Sequence, residues 1–74
     1  MIKVYIKVDN DNNITEITSS AFLFDPEGYI CIDQGSGKDI DKYAHAQNYY
    51  LAKPILDENN NYNYKYINNK IIEN

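Results

Sequence analysis

The side chains best suited to acid–base or nucleophilic chemistry are few: one histidine, His45, and one cysteine, Cys31. A working Cys–His pair needs the thiol and the imidazole within hydrogen-bond reach of each other. Cys31 stands in "YICID" beside β-branched residues, a setting in which cysteine behaves as a small hydrophobe. His45 stands in "DKYAHAQNYYL", with Asp41 four residues before it and Tyr49 four after, one helical turn either way. Catalysis also requires substrate-orienting groups that converge on the base, and the sequence supplies none near His45. The expectation is a chain with no catalytic residues, not an enzyme. His45, with Asp41, Asp33 and Gln47, is expected to serve as a structural polar anchor. One Cys and one His also fall short of a structural zinc site.

Two other stretches invite ligand chemistry and fail on spacing. "DNDNN" resembles the start of a calcium loop, with Asp9, Asp11 and Asn13 at alternate positions. Such a loop needs Gly at its sixth position and a bidentate Glu at its twelfth, and Ile14 and Ser20 stand there. A hairpin turn is the expectation. "DQGSGKD" joins an expected strand to an expected helix, where free N–H groups can hold phosphate. Its glycines match neither nucleotide fingerprint, and Asp33, Asp39 and Asp41 would repel an anion. Neither a metal nor a cofactor is expected.

The tyrosines are more informative. Tyr62, Tyr64 and Tyr66 alternate, so on a strand all three project from one face. Together with Tyr49 they form a candidate binding surface for a protein partner, a sugar or a base. The competing reading is a core face packed on a helix that carries Tyr43 and Tyr50. With two phenylalanines and no tryptophan in the chain, tyrosine has to build much of the interior, so the core reading is favoured.

Elements that could position these residues follow from pattern. Seventy-four residues make a single domain, 1–74. A domain this small has a thin core, and the lone cysteine cannot staple it, so association with itself or with a protein partner is expected. Seven basic residues, all lysine, against eleven carboxylates leave no basic patch for duplex nucleic acid. The longest apolar run, "AFLF", is far too short for a bilayer, and no secretory leader opens the chain. A soluble protein in a reducing compartment, without membrane contact, is expected.

"MIKVYIKV" alternates as a half-buried strand, and "DNDNN" turns it into a second strand, "ITEITS". Ile14 and Ile17 are out of phase with strict alternation, so a bulge or an early strand end is expected between them. "DPEG" reads as a type I turn and "YICID" as a central strand covered on both faces. Ser36 and Asp39 have capping-box spacing. Ile40, Tyr43, Ala44, Gln47 and Leu51 then mark one helix of three turns, or a looser one with irregular ends, ended by Lys53-Pro54. "PIL" and "YNYKYI" flank the loop "DENNN", and Asn68-Asn69 fits a two-residue type I′ turn. The fold class is α+β: a small, mostly antiparallel sheet built from two β-meanders, with one short helix packed on it.

From "YICIDQGSG" through "DKYAHAQNYYLAKPILDENNNYNYKYINNK" the chain resembles a family of small proteins from the tail modules of phages and prophages of Gram-positive bacteria. Ile32, Asp33, Gly35, Gly37, Asp41, Tyr43, His45, Ala46, Gln47, Lys53, Pro54, Asp57, Tyr62, Tyr64 and Lys65 fall on that family's pattern. Tyr29 stands where Trp is usual, Gln34 replaces Glu, and Lys38 to Ile40 look inserted. The resemblance implies a non-enzymatic structural or assembly role and a phage tail component as partner. It places the protein in the host cytoplasm during assembly or in the virion. A small phage anti-defence protein that sequesters a host factor or nucleotide signal is the alternative.

Overall fold

Alternating β-branched residues draw Ile2–Val8 into a strand, β1, that fully buries Val4 and Ile6 and leaves Lys3 exposed on the opposite face. The computed structural model describes residues 1–36 and 38–74. β1 is the middle of a three-stranded antiparallel sheet, flanked by β2 (Ile14–Ser19) and β3 (Ile30–Gly35). The phase problem in "ITEITS" is solved by a bulge. Lys7 pairs with Glu16 and Val8 with Ile14, leaving Thr15 unpaired, and Thr15 Oγ1 donates to the Lys7 carbonyl at 3.3 Å. The extra residue resets the alternation, so Ile14 and Ile17 both reach the core.

"YICID" is an edge strand, not the expected central one. Residues 20–29 start against Lys3, where Ser20 N donates to the Lys3 carbonyl, and end at Tyr29, whose ring lies under Lys7 Nζ. The chain thus crosses to the far side of β1, and β1 takes hydrogen bonds on both edges while β3 takes them on one. Ile30 and Cys31 are consequently exposed. The turn before β3 also closes one residue later than expected: Tyr29 N donates to the Pro26 carbonyl, and Gly28 sits third at φ 84°. That positive φ makes it a type II turn, with Asp25 Oδ1 accepting from Glu27 N beside it.

The expected single helix is two short ones, α1 (Ile40–Ala44) and α2 (Ala46–Tyr49), broken at His45 (φ −105°, ψ 42°). The break has an identifiable cause. In a continuous helix the Ala44 carbonyl would accept from Asn48 N. Here buried Ser19 donates its Oγ proton to that carbonyl at 2.6 Å, and Asn48 N turns to the His45 carbonyl at 2.9 Å. The small side chains of Ala44 and Ala46 let the backbone sit close to β2, and both are buried. Ile40 and Gln47, expected on the apolar stripe, are exposed, and the Ser36 side chain makes no cap. Gly35 ends β3 against the Tyr43 ring, which occupies the space any Cβ would need.

The last third is a hairpin, β4 (Tyr64–Ile67) and β5 (Lys70–Glu73). Asn68 and Asn69 turn it with φ 53° and 62°, the type I′ pattern. "PIL" contributes only a bridge from Leu56 to Tyr62. "DNDNN" and "DENNN" fold into the same loop. Asp9 Oδ1 accepts from Asp11 N and Asn13 N, as Asp57 Oδ1 does from Asn59 N and Asn61 N, and Asn12 and Asn60 take φ 65° and 62°. β4 joins the first sheet where Asn13 bridges Lys65 and Tyr66 N donates to the Asn12 carbonyl. Val4, Ile6, Ile14, Ile17, Ala46 and Tyr64 form the core of this α+β domain. Among the described residues, no helix is long and apolar enough to cross a membrane.

Candidate interaction surface

His45 is half-buried and tilts its ring against Phe22, centroids 5.4 Å apart and planes at 50°. Its side chain makes no hydrogen bond among the described residues. Its carbonyl, by contrast, accepts from Asn48 N and Tyr49 N and so starts α2. Its role as an anchor is carried by backbone and ring rather than by a polar side-chain contact. Cys31 is exposed on the edge strand, with Sγ 3.6 Å from the Asp33 carbonyl, and does not meet the histidine. Asp41 and Gln47 are exposed and hold no side-chain hydrogen bond among the described residues.

Asp33 is the polar anchor that the fold does use. Its Oδ2 accepts the Tyr50 hydroxyl at 2.7 Å and its Oδ1 accepts Gln34 N at 2.8 Å, which ties the end of α2 to the edge strand. Burial and the Asp33 carboxylate together hold the Tyr50 phenol well above its usual pKa, because both disfavour the phenolate. No group of three or more metal-ligating side chains occurs among the described residues.

The three alternating tyrosines do not act as one surface. Tyr64 is 6% exposed, and its hydroxyl accepts Lys53 N at 2.9 Å. Tyr62 and Tyr66 are half-buried, whereas Tyr49 is 62% exposed. A second tyrosine cluster lies on the opposite face of the three-stranded sheet and was not singled out from sequence. Tyr5 meets Tyr29 edge to face at 6.5 Å, Lys7 Nζ sits 4.5 Å over the Tyr29 ring, and Tyr29 donates its hydroxyl to Glu16 at 2.9 Å. That hydrogen bond raises the Tyr29 pKa.

Two further features lay beyond the sequence patterns. Phe24 is 103% exposed and Phe22 59% exposed, although "AFLF" is the most apolar run in the chain. The available signal was the turn motif directly after them: with the chain leaving β2 at Ser19 and turning from Asp25, these residues have no strand to pair with. Beside α2 lies a groove of ≈ 290 Å³, floored by Ile17, Leu51 and Ile55 and rimmed by Gln47, Asn48 and Lys53. Lys53 is the one charged side chain lining it; it is ion-paired with Glu73, and that contact raises its pKa.

No family model, no curated protein and no solved structure matches this chain.

Proposed function

We propose that this chain is a non-enzymatic interaction protein that binds another component of a phage or prophage tail. It would act during assembly in the host cytoplasm or within the virion. The observation that carries the binding mode is the free edge of β3: a strand with one unpaired side, exposed at Ile30 and Cys31, at the border of a packed sheet. Such an edge accepts an extended segment of a partner by continuing the ladder of backbone hydrogen bonds. The tail setting draws its support from the residue pattern that runs from Ile32 to Lys65. The nucleotide-sequestering alternative needs a stacking platform, and burial of Tyr64 removes the middle ring from the tyrosine row.

The test is affinity capture from a phage lysate with the wild-type chain and with the double variant Cys31→Lys, Gln34→Lys. Both positions are exposed on the edge strand, so lysine there opposes strand addition while sparing the core. Recovery of a tail structural protein by the wild type and its loss with the variant support the proposal. Failure to recover any structural protein, or equal recovery by a folded variant, overturns it.

A further inference from the structure

We infer, resting on the β3-edge reading above, that Asp33 guards that edge: its carboxylate occupies the outward backbone N–H of Gln34, and a strand added there must displace it. The direction of that N–H follows from the register. Ser20 N donates to the Lys3 carbonyl at 2.8 Å and Lys3 N donates to Ser20 Oγ at 3.0 Å, so the Lys3 backbone faces β2. Alternation along β1 turns Tyr5 the same way and sends Val4 and Ile6 toward β3. Gln34 and Cys31, the partners of Lys3 and Tyr5, therefore hold their N–H and C=O groups away from β1, on the unpaired side. These are the two positions at which an incoming strand can bond. They stand three residues apart and not two, because the bulge between Val4 and Tyr5 leaves Ile32 unpaired.

The two positions differ in state. Among the described residues, nothing outside the sheet bonds to the Cys31 backbone. Gln34 N, by contrast, donates to Asp33 Oδ1 at 2.8 Å, so its outward donor is already taken. The carboxylate is held in place by its other oxygen, since Oδ2 accepts the Tyr50 hydroxyl at 2.7 Å. Tyr50 directly follows α2 and is half-buried, which anchors the carboxylate to the packed part of the domain. A bond from a backbone N–H to a carboxylate is charge-assisted and stronger than one to a neutral carbonyl. A partner strand offers only the neutral carbonyl. Pairing can thus begin at Cys31, but it reaches Gln34 only when Asp33 swings off. A covered donor is also one of the devices that keep an edge strand from pairing indiscriminately.

Three variants test the guard: Asp33→Ala removes it, Asp33→Asn keeps an oxygen that can accept from Gln34 N, and Tyr50→Phe removes only the tie to α2. Amide exchange of the chain alone comes first. Relative to its unstructured rate, Gln34 is expected to exchange more slowly than Cys31 in the wild type, Asp33→Asn and Tyr50→Phe. In Asp33→Ala the two amides should match. Binding is then measured to the tail structural protein that the wild-type chain recovers. Asp33→Ala is expected to bind it roughly fivefold tighter, the worth of one competing hydrogen bond, with Asp33→Asn and Tyr50→Phe within about twofold of wild type. All variants should keep the wild-type circular dichroism spectrum. A Gln34 amide as open as Cys31 in the wild type overturns the guard without touching the β3-edge reading. So does equal or weaker binding by a folded Asp33→Ala, or a gain by Tyr50→Phe that matches it. Recovery of no tail component, with Gln34 protected by Asp33, counts against the β3-edge reading and leaves the covered donor established by exchange.

Discussion

Tyr64 shows how one side chain can unite the molecule. Its ring is in the core with Val4, Ile6 and Ile14, and its hydroxyl accepts the Lys53 amide. Tyr64→Ala is therefore expected to destabilise the domain by about 3 kcal/mol or more. Tyr64→Phe should cost about 1 kcal/mol, since only the hydrogen bond to Lys53 is lost. Urea titration of the three proteins checks both values, and a Tyr64→Ala loss well below 1 kcal/mol would remove the ring from the core. Tyr50 supports a prediction in pH. In the unfolded chain its phenol titrates near pH 10, the ordinary value. In the folded chain burial and Asp33 hold the proton to higher pH. Above pH 10 the unfolded state binds fewer protons than the native state, so stability falls as pH rises. Below pH 10 the contribution is fully present. Replacing Tyr50 by Phe should flatten the alkaline decline of the urea midpoint relative to wild type, and an unchanged slope would contradict the assignment.

At the scale of elements, local chemistry was legible wherever neighbours in sequence decide the geometry. The alternation of Ile2 to Val8, the turn at Asn68-Asn69 and the bulge between Ile14 and Ile17 all follow from nearby residues. The helix break at His45 was hidden, because its cause is Ser19, distant in sequence and bonded to the Ala44 carbonyl. The edge position of β3 was hidden for a similar reason: it depends on where residues 20–29 deliver the chain. Of the candidate site, the Tyr50–Asp33 tie and the exposed phenylalanines depend on packing that no spacing rule reports. The twin loops offer a paired test. At Asp9, burial pushes the carboxyl pKa up, and the hydrogen bonds from Asn13 and Asp11 outweigh it, so the group is held below its usual value. Asp9→Ala and Asp57→Ala each remove two side-chain bonds to backbone N–H groups, and Asp9→Ala also removes the bond that Asn13 Nδ2 donates, so both should lower the denaturation midpoint, Asp9→Ala somewhat more. A pair of mutants differing severalfold would show that the two loops are alike in shape but not in load.

Across the whole molecule, the question is whether its two sheets stand or fall together. A two-stranded hairpin is marginal by itself in water, so β4–β5 owes its structure to docking. Tyr64 in the shared core provides it, together with the Asn13–Lys65 bridge, one of whose bonds runs from Tyr66 N to the Asn12 carbonyl at 2.9 Å. The chain end is tied back as well, with Asn74 donating its backbone N–H to the Asn63 carbonyl and its side chain to the Tyr62 carbonyl, both at 2.8 Å. These contacts cross between the sheets at one end of β2, where the first of the twin loops meets β4. Loosening the hairpin therefore withdraws Tyr64 from the core it shares with Ile14 and Ile17. One cooperative transition is the expected outcome. Far-UV circular dichroism and tyrosine fluorescence should give coincident urea curves, and the Tyr66 amide should exchange with a free energy close to that of Val4 and Ile6. If the β4–β5 amides exchange far faster than those of β1, the hairpin opens separately, and the core is held by the three-stranded sheet and the broken helix alone.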